Sequence, residues 1–395
     1  MFRFLFLSLF SLYLGMAHSA NWIEGSSSVE ISNAPLDAVR EIAIKNAIAD
    51  ATFKGGAMVS SQDIVLNGLL IGSKVILQSQ GVIRRAEVTR EVIDNNILTV
   101  NVRVDVFQSF SCHFEKYKRN VLVTPFRIKH PSQASVGQIY DLGDHIGERF
   151  KQMLEDQTEI VKPHFVNKYL VPETLFDKTK KSELVETAQY FARQFGYQYA
   201  LFGIVDEVSV FTRVKKEGFQ STNTTRRNIT ISVYLVDLMR QEIVHEQQYH
   251  SEADWVYGLY DVVDISSSIF WRSSFGRSVL ESISNAVIDI DEKLRCSRPF
   301  AQIVSSYDDG VIVNMGENHG LHLGDLFYIH KQFEPVTNTV QPQGFIKRVE
   351  DSEMKVRELN GNTAFVVPTK INAAWAAQTF DLVSPEKPIE EMSNN

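Results

Sequence analysis

Residues 120–126, Asn-Val-Leu-Val-Thr-Pro-Phe, decide how the centre of this chain folds. The run Val121 to Val123 has no polar side chain to face water, so it predicts a buried β-strand that Pro125 closes. Downstream, apolar residues recur at steps of three and four, which predicts one buried stripe of a helix. These residues are Ile139, Leu142, Ile146, Phe150 and Leu154.

The same alternation of helix and strand continues towards the carboxyl end. A second helix is predicted from Leu184, Ala188, Phe191 and Phe195, and it ends at Gly196, where a left-handed cap residue belongs. Three strands are predicted at 199–205, 228–236 and 242–249. A long closing helix carries Phe275, Val279, Ile283, Ala286, Ile290 and Leu294. We expect these helices to pack on a mixed sheet of about four or five strands.

The segment before this region predicts a helix on an antiparallel sheet. Leu36 to Lys54 has helical character, with Pro35 just before it and Gly55-Gly56 just after it. Ala38, Ala43, Ala47 and Ala51 give the helix a smooth face that can lie close to a sheet. Residues 98–106 alternate apolar and polar, which predicts a half-buried strand paired through the turn 94–96 with residues 82–93.

The last third of the chain changes character again. Asp309-Gly310 precedes the segment Val311-Ile312-Val313-Asn314, and an apolar strand is predicted at 326–329. Closely spaced glycines and the lack of a helical stripe favour a small β-barrel or sandwich of about 80 to 90 residues. Residues 334–343 contain two prolines and no apolar period, and they are predicted to form a long exposed loop.

The first twenty residues have the pattern of a secretory signal peptide. Arg3 gives a basic start, residues 4–16 are almost continuously apolar, and Ala17-His18-Ser19-Ala20 ends the run in small residues. The apolar run is shorter than the roughly 20 residues that cross a bilayer. We therefore expect an exported, soluble protein in the periplasm, at most peripheral to the outer membrane.

Charge and missing motifs exclude several classes of function. The net charge is −8, and basic residues are mixed with acidic ones along the chain, so no basic footprint for nucleic acid is present. The sequence also lacks a Gly-x-Ser-x-Gly elbow, a His-Glu-x-x-His helix and a phosphate-binding loop. We therefore expect no enzyme activity and no cofactor.

Two clusters deserve comparison with known chemistry. His319, His322 and Asp325 are residue types that bind zinc, but no further histidine completes the set from the same turn, and a glycine-rich turn explains the spacing. Glu155 and Asp156 could serve a glycosidase, but nothing in the sequence places two carboxylates across a cleft. We therefore predict neither a metal site nor catalytic residues.

Aromatic residues before the long helix are the candidate partner surface. Trp255, Tyr257, Tyr260 and Trp271 fall within a short stretch of sequence. Most such rings belong to a core, but Trp and Tyr also anchor protein interfaces more often than their abundance suggests. The sequence leaves both interpretations open.

Three quoted segments carry a family resemblance. They are 38–47 in the first helix, 121–126 in the buried strand, and 316–325 with its glycines and histidines. With them the chain resembles the FlgT family, periplasmic proteins of the H ring around the basal body of sodium-driven polar flagella. The middle segment is also similar to the N-terminal domain of TolB.

The resemblance implies an α+β protein of several domains that assembles with other proteins and does not catalyse. We expect a signal peptide (1–20), an N-terminal α/β domain (21–112), a middle TolB-N-like domain with a mixed sheet (113–296), a C-terminal β-barrel (297–385) and a disordered tail (386–395). The implied partners are H-ring components and the T-ring proteins MotX and MotY, on which stator incorporation and motility depend. The chain would be multimeric in the ring and monomeric when isolated.

Two other functions remain open at this stage. One is a TolB-like docking module that serves a different assembly of the cell envelope. The other is a periplasmic hydrolase of glycan, which would require carboxylates that converge in a cleft.

Cys112 and Cys296 are the only cysteines of the chain. In an oxidising compartment two such thiols favour a disulfide, here joining the two ends of the middle segment. A loop of roughly 180 residues would be closed, which contributes roughly 4 to 5 kcal/mol in the chain-entropy model. We expect non-reducing peptide mapping of the purified protein to yield one linked Cys112–Cys296 peptide. An unlinked Cys112 peptide would contradict the pairing.

Overall fold

The computed structural model describes residues 22–31, 35–54, 65–71, 74–78, 83–106, 114, 116–169, 196–217, 220–333, 345–370 and 377–386. Four predictions lie outside these residues: the signal peptide, the helix that carries Leu184 to Phe195, the loop 334–343 and the tail 386–395, of which only Glu386 is described. Cys112 lies outside them as well.

The described residues form an α+β protein with three sheets. Its helices are α1 (Leu36–Lys54), α2 (Leu142–Gln157), α3 (Ser268–Arg272) and α4 (Ser274–Arg295). The first strands are β1 (Trp22–Glu30), β2 (Val65–Ile71), β3 (Lys74–Gln78), β4 (Ile83–Asp94), β5 (Ile97–Val106), β6 (Arg119–Val123), β7 (Arg127–Ile128), β8 (Val161–Phe165) and β9 (Tyr199–Glu207). The later strands are β10 (Val210–Glu217), β11 (Gln220–Asp237), β12 (Glu242–Asp254), β13 (Ala301–Ser306), β14 (Val311–Val313), β15 (Leu326–Phe333), β16 (Phe345–Leu359), β17 (Ala364–Pro368) and β18 (Leu382–Glu386).

The N-terminal sheet is antiparallel, in the order β1-β5-β4-β3-β2, with α1 packed on one face. The helix has the predicted bounds. The predicted hairpin joins β4 to β5 through Asn95 and Asn96, whose φ angles of 47° and 65° are those of a type I′ turn. One expectation was wrong: Ala38 is exposed, and Val39 occupies the buried face with Ala43, Ala47 and Ala51.

The middle sheet is mixed, as predicted, and has seven strands. β6 runs parallel to β8 and β9, while β11 pairs antiparallel with β9, β10 and β12. Helices α2 and α4 pack together and bury the predicted stripes against the sheet. Ile139 is buried but precedes α2, which begins at Leu142.

Strand β10 and the first half of β11 were missed because their residues do not alternate between apolar and polar. Residues 212–217 and 220–228 are mostly hydroxyl, amide and charged types, which resemble a loop. Their backbones nevertheless pair residue by residue from Val210–Arg227 to Glu217–Gln220. This pairing extends the sheet into a long hairpin.

The C-terminal segment is a closed barrel in the order β13-β14-β17-β16-β15-β18. Its interior is filled by alternate residues of these strands, among them Val311, Val313, Phe327 and Val366. Of the two predicted alternatives, the barrel is therefore confirmed. None of the described helices combines the length and apolar composition that spanning a membrane requires.

Gly25 lets α1 approach the backbone of β1. A Cβ atom at this position would lie 2.1 Å from the Ala47 carbonyl oxygen and 2.6 Å from the Ala51 nitrogen. We expect Gly25→Ala to lower the free energy of unfolding by about 1 to 3 kcal/mol, because the helix must move away from the sheet. Urea unfolding followed by circular dichroism measures the change.

The matched control is Ser26→Ala, on the exposed face of the same strand. It should leave the free energy of unfolding within about 0.5 kcal/mol of the parent. Equal effects of the two substitutions would show that the close packing of α1 on β1 is not what Gly25 provides.

Candidate functional site

His319 lies in the contact between the barrel and the middle sheet. Its side chain is buried, and its Nε2 lies 2.9 Å from the Asn120 Oδ1 on β6. The Nδ1 accepts a 3.0 Å hydrogen bond from the Gly316 backbone N–H, so the proton is on Nε2 and is donated to Asn120. The Lys118 N–H also donates to the His319 carbonyl, at 2.9 Å.

The remaining residues of the segment serve the same contact. Gly320 has a φ of +82°, and a Cβ atom there would lie 2.1 Å from the Lys116 carbonyl oxygen. Asp325 accepts from the His322 backbone N–H at 3.0 Å and pairs with Lys116 at 3.3 Å. Residues 316–325 therefore form a joint between the barrel and the mixed sheet, and the described residues contain no group of three or more metal ligands.

Burial sets the protonation of His319. Desolvation, with smaller contributions from Lys162 and Lys118, lowers its pKa to about 4. The neutral ring can accept from Gly316 and donate to Asn120 at the same time, whereas an imidazolium would lose the first bond.

Arg119 connects the two ends of the middle segment. It is fully buried, and its Nη1 donates to the carbonyls of Phe114 at 3.1 Å and Tyr117 at 2.6 Å. Its Nη2 donates to the carbonyls of Arg295, at 3.0 Å, and Ser297, and its Nε lies 3.3 Å from the Ser297 hydroxyl. The backbone that enters the middle segment is thus held to the backbone that leaves it.

A second set of polar side chains extends the joint. Gln198 accepts from the Phe300 N–H and donates to the Arg298 carbonyl, both at 2.9 Å. Asn314 donates to the Gly196 carbonyl at 2.7 Å and accepts from the Gln302 N–H at 2.6 Å. These bonds hold the linker between α4 and the barrel, residues 295–300, and the first barrel strands against residues 196–198, which directly precede β9.

An apolar contact completes the joint. Met239, in the turn between β11 and β12, packs with Phe300, just before β13, and with Leu382 of β18. Its carbonyl accepts from the Gln332 side-chain amide at 2.7 Å. Asp237 shapes this turn by accepting the N–H groups of Met239 and Arg240 at 2.9 and 3.0 Å. Burial raises the pKa of Asp237 to about 6.

Sequence reasoning missed most of this joint. Arg119 and Asn120 directly precede the buried apolar run 121–123, and Asn314 directly follows the apolar run 311–313. Polar residues at the end of a buried strand need partners, so this position was the available signal. The sequence could not identify the partners themselves.

The candidate aromatic surface is only partly exposed. Trp255 and Trp271 are buried, so of the two interpretations that the sequence left open, the structure gives these two rings a place in the core. Trp255 packs against Phe275, and the Arg227 guanidinium lies 4.3 Å from its ring centre. Tyr257 is half-buried, whereas Tyr260 is 96% exposed.

Tyr260 is surrounded in sequence by other exposed apolar residues. We define the Tyr260 surface as the exposed side chains of Val256, Leu259, Tyr260, Val262 and Ile269. Two hydrogen bonds hold the backbone of this loop. Val263 N–H donates to the Gly137 carbonyl, and within the loop Gly258 N–H donates to the Asp261 carboxylate. The surface is therefore presented on an ordered backbone.

The remaining predicted residues show no catalytic arrangement. Glu155 and Asp156 lie on the exposed face of α2, where Glu155 pairs with Lys151. Cys296 follows the last residue of α4, beside the carbonyl oxygens that Arg119 holds. The disulfide to Cys112 stays a prediction.

Comparisons with known proteins identify the family of the chain. Family models match the chain twice: the N-terminal domain of flagellar assembly protein T over residues 21–108, and its middle domain over residues 110–265. The chain belongs to the FlgT family. This membership places it in assembly of the flagellar basal body. A comparison with curated proteins found no match.

Solved structures resemble the chain only distantly. The hypothetical protein CT253 from Chlamydia trachomatis is 11% identical with a TM-score of 0.33, and the match covers 45% of this chain and 98% of that one. A PelC dodecamer from Paraburkholderia phytofirmans is 12% identical with a TM-score of 0.24, covering 45% and 93%. The lipoprotein GNA1162 from Neisseria meningitidis is 12% identical with a TM-score of 0.21, covering 44% and 96%.

The joint generates a pH prediction. The pKa of His319 is about 4 in the folded protein and about 6.5 when unfolded, so the unfolded state binds more protons between these values. The stability that the neutral ring contributes is present above pH 6.5 and is lost as the pH falls towards 4. His319→Ala should lower stability at pH 7 by about 1 to 3 kcal/mol and flatten its decline below pH 6.5.

The matched control is His322→Ala, three residues away and exposed. It should retain both the stability and the pH dependence of the parent, as measured by urea unfolding at pH 7.0, 6.0 and 5.0. A chelator should change neither variant. Identical pH profiles for the parent and His319→Ala would contradict the role given to the buried ring.

Proposed function

We propose that this FlgT-family protein is a non-enzymatic structural component of the flagellar H ring in the periplasm. In this role it supports incorporation of the T ring, formed by MotX and MotY, and of the stator, and hence motility. The observation that carries the proposal is the joint, because its buried hydrogen bonds fix the barrel on the mixed sheet. Its buried side chains bind backbone and amide groups, which suits a scaffold.

The proposed domains are 21–112, 113–296 and 297–385, with a middle domain of TolB-N-like type. The joint supports the last boundary, because Arg119 and Gln198 hold the linker 295–300 between the mixed sheet and the barrel. A middle domain and barrel fixed in this way would present their outer faces to ring neighbours at a constant angle.

The Tyr260 surface is our proposed partner surface on the middle domain. Tyr260 is almost fully exposed, and tyrosine anchors interfaces with little loss of conformational entropy. Four of the surface's five exposed apolar residues also fall within residues 256–262, and clustered exposed apolar side chains mark interaction sites on soluble proteins. Asp261 and Asp264 flank the surface in sequence, and their carboxylates favour a neighbour with basic residues at its rim, whereas Asp254 is already paired with Arg226 at 2.6 Å.

Gene deletion followed by complementation tests the proposal. Deletion should abolish swimming and remove the H ring from isolated basal bodies, and the parent gene should restore both. Tyr260→Ser should restore ring assembly and swimming poorly, whereas Tyr140→Ser, at another exposed tyrosine of the same domain, should restore them fully.

Protein levels in the periplasm and thermal unfolding of each variant distinguish loss of binding from loss of folding. Normal swimming with intact rings in the deletion strain would contradict the flagellar role. Full complementation by Tyr260→Ser would leave that role standing and contradict only the proposed surface.

A further inference from the structure

A groove on the outside of the barrel has no assigned role. Its volume is about 350 Å³, and its lining residues are all described: Tyr307, Asp309, Ile312, Glu358, Asn360, Thr363, Ala364 and Phe365. This volume lies at the lower end of the range of ligand pockets, about 300 to 1,000 Å³. It suits a single side chain of a partner with its adjoining backbone.

Strand register builds the floor of the groove. Phe365 of β17 is paired with Ile312 of β14 on one side and with Glu358 of β16 on the other. These three side chains form an outward row, because their neighbours Val311 and Val366 point into the barrel core. The floor is therefore set by the barrel itself and not by a loop.

Two turns supply the walls. Tyr307 and Asp309 come from the turn between β13 and β14, and the Tyr307 ring meets the Phe365 ring edge to face at 6.3 Å. Gly310 permits this contact, since a Cβ atom there would lie 2.5 Å from the Phe365 Cζ. Asn360 and Thr363 form the opposite wall in the turn between β16 and β17, where the Asn360 N–H donates to the Thr363 carbonyl.

The groove is acidic and aromatic. Asp309 and Glu358 line it, no basic side chain does, and neither carboxylate forms an ion pair with the described residues. Tyr307 is half exposed, and in the part of the chain that the structure describes no Lys or Arg lies over its ring. Both the negative charge and the ring faces would be complemented by a cation.

The same barrel already contains an aromatic ring, a carboxylate and a guanidinium group side by side, all from its own residues. The Arg348 guanidinium lies 3.5 Å from the centre of the Tyr328 ring, and Glu353 accepts the Tyr328 hydroxyl at 2.6 Å. Elsewhere Arg127 covers Tyr169 and Arg103 covers Trp22 at 4.6 and 4.7 Å. Guanidinium groups thus cover rings at several places in the described chain, whereas no described Lys or Arg covers the Tyr307 ring.

We propose that the groove binds an arginine side chain of a partner protein, with the guanidinium over Tyr307 and paired with Asp309 and Glu358. Ile312 and Phe365 would contact the aliphatic part of that side chain, and Asn360 and Thr363 would face the partner's backbone. The inference extends the proposed scaffold role to a surface on the barrel. It does not depend on the Tyr260 surface.

The test compares two peptides that differ only in charge. The full-length mature protein is titrated with acetyl-Gly-Arg-Gly-amide and with its citrulline counterpart, and binding is followed by ligand-observed NMR. The arginine peptide should bind about five-fold more tightly or better, since an exposed ion pair and a cation–π contact each contribute modestly. This preference should weaken as salt is raised.

Variants then assign the binding to the groove. Glu358→Gln and Tyr307→Leu should each weaken binding of the arginine peptide several-fold, with unchanged melting temperatures. Glu350→Gln makes the same charge change on the same strand outside the groove, and it should bind as the parent does. Glu358→Gln should also reduce the preference for arginine over citrulline.

Three results would overturn the proposal. The first is equal affinity for the two peptides. The second is arginine binding that survives both Glu358→Gln and Tyr307→Leu. The third is tight binding of an N-acetylglucosamine oligosaccharide that Tyr307→Leu abolishes while the arginine peptide fails to compete, which would make the groove a glycan site.

Discussion

The buried guanidinium of Arg119 is the constraint on which the rest of the structure depends. A charge in the interior is costly unless hydrogen bonds replace its hydration, and Arg119 gives its donors to Phe114, Tyr117, Arg295 and Ser297. These acceptors lie at opposite ends of the middle segment. The guanidinium is therefore satisfied only when the chain entering the mixed sheet and the chain leaving α4 lie side by side.

This constraint determines what the barrel can do. The linker that Arg119 holds leads directly into β13. His319 and Asn314 fix the barrel at two further points, Asn120 near the start of β6 and Gly196 just before β9. A barrel attached only by its linker would sample many orientations. Attached at several buried points, it presents its outer face in a fixed direction relative to the middle domain, which is the property that a ring component needs from each of its surfaces.

Local patterns predicted the strongly periodic elements but not β10 or the first half of β11. The alanine face and the flanking proline and glycines gave the bounds of α1, and the adjacent Asn95 and Asn96 suited a hairpin turn. Local sequence patterns could not predict long-range contacts. Asn120 and His319 are 199 positions apart, and nothing in the local sequence indicates that their side chains form a hydrogen bond. Nor could the sequence show that Trp255 is buried while Tyr260, five residues away, is exposed, because burial depends on which elements lie above each ring.

Native-state hydrogen exchange of the full chain tests most directly whether the middle domain and barrel act as one body. Slowly exchanging amides of β6 and β9 and those of β13 and β14 should open with the same free energy, because the joint makes them one cooperative unit. Asn120→Ala should lower that free energy in both sheets together. Barrel amides that exchange through their own, lower free energy and do not respond to Asn120→Ala would contradict the account.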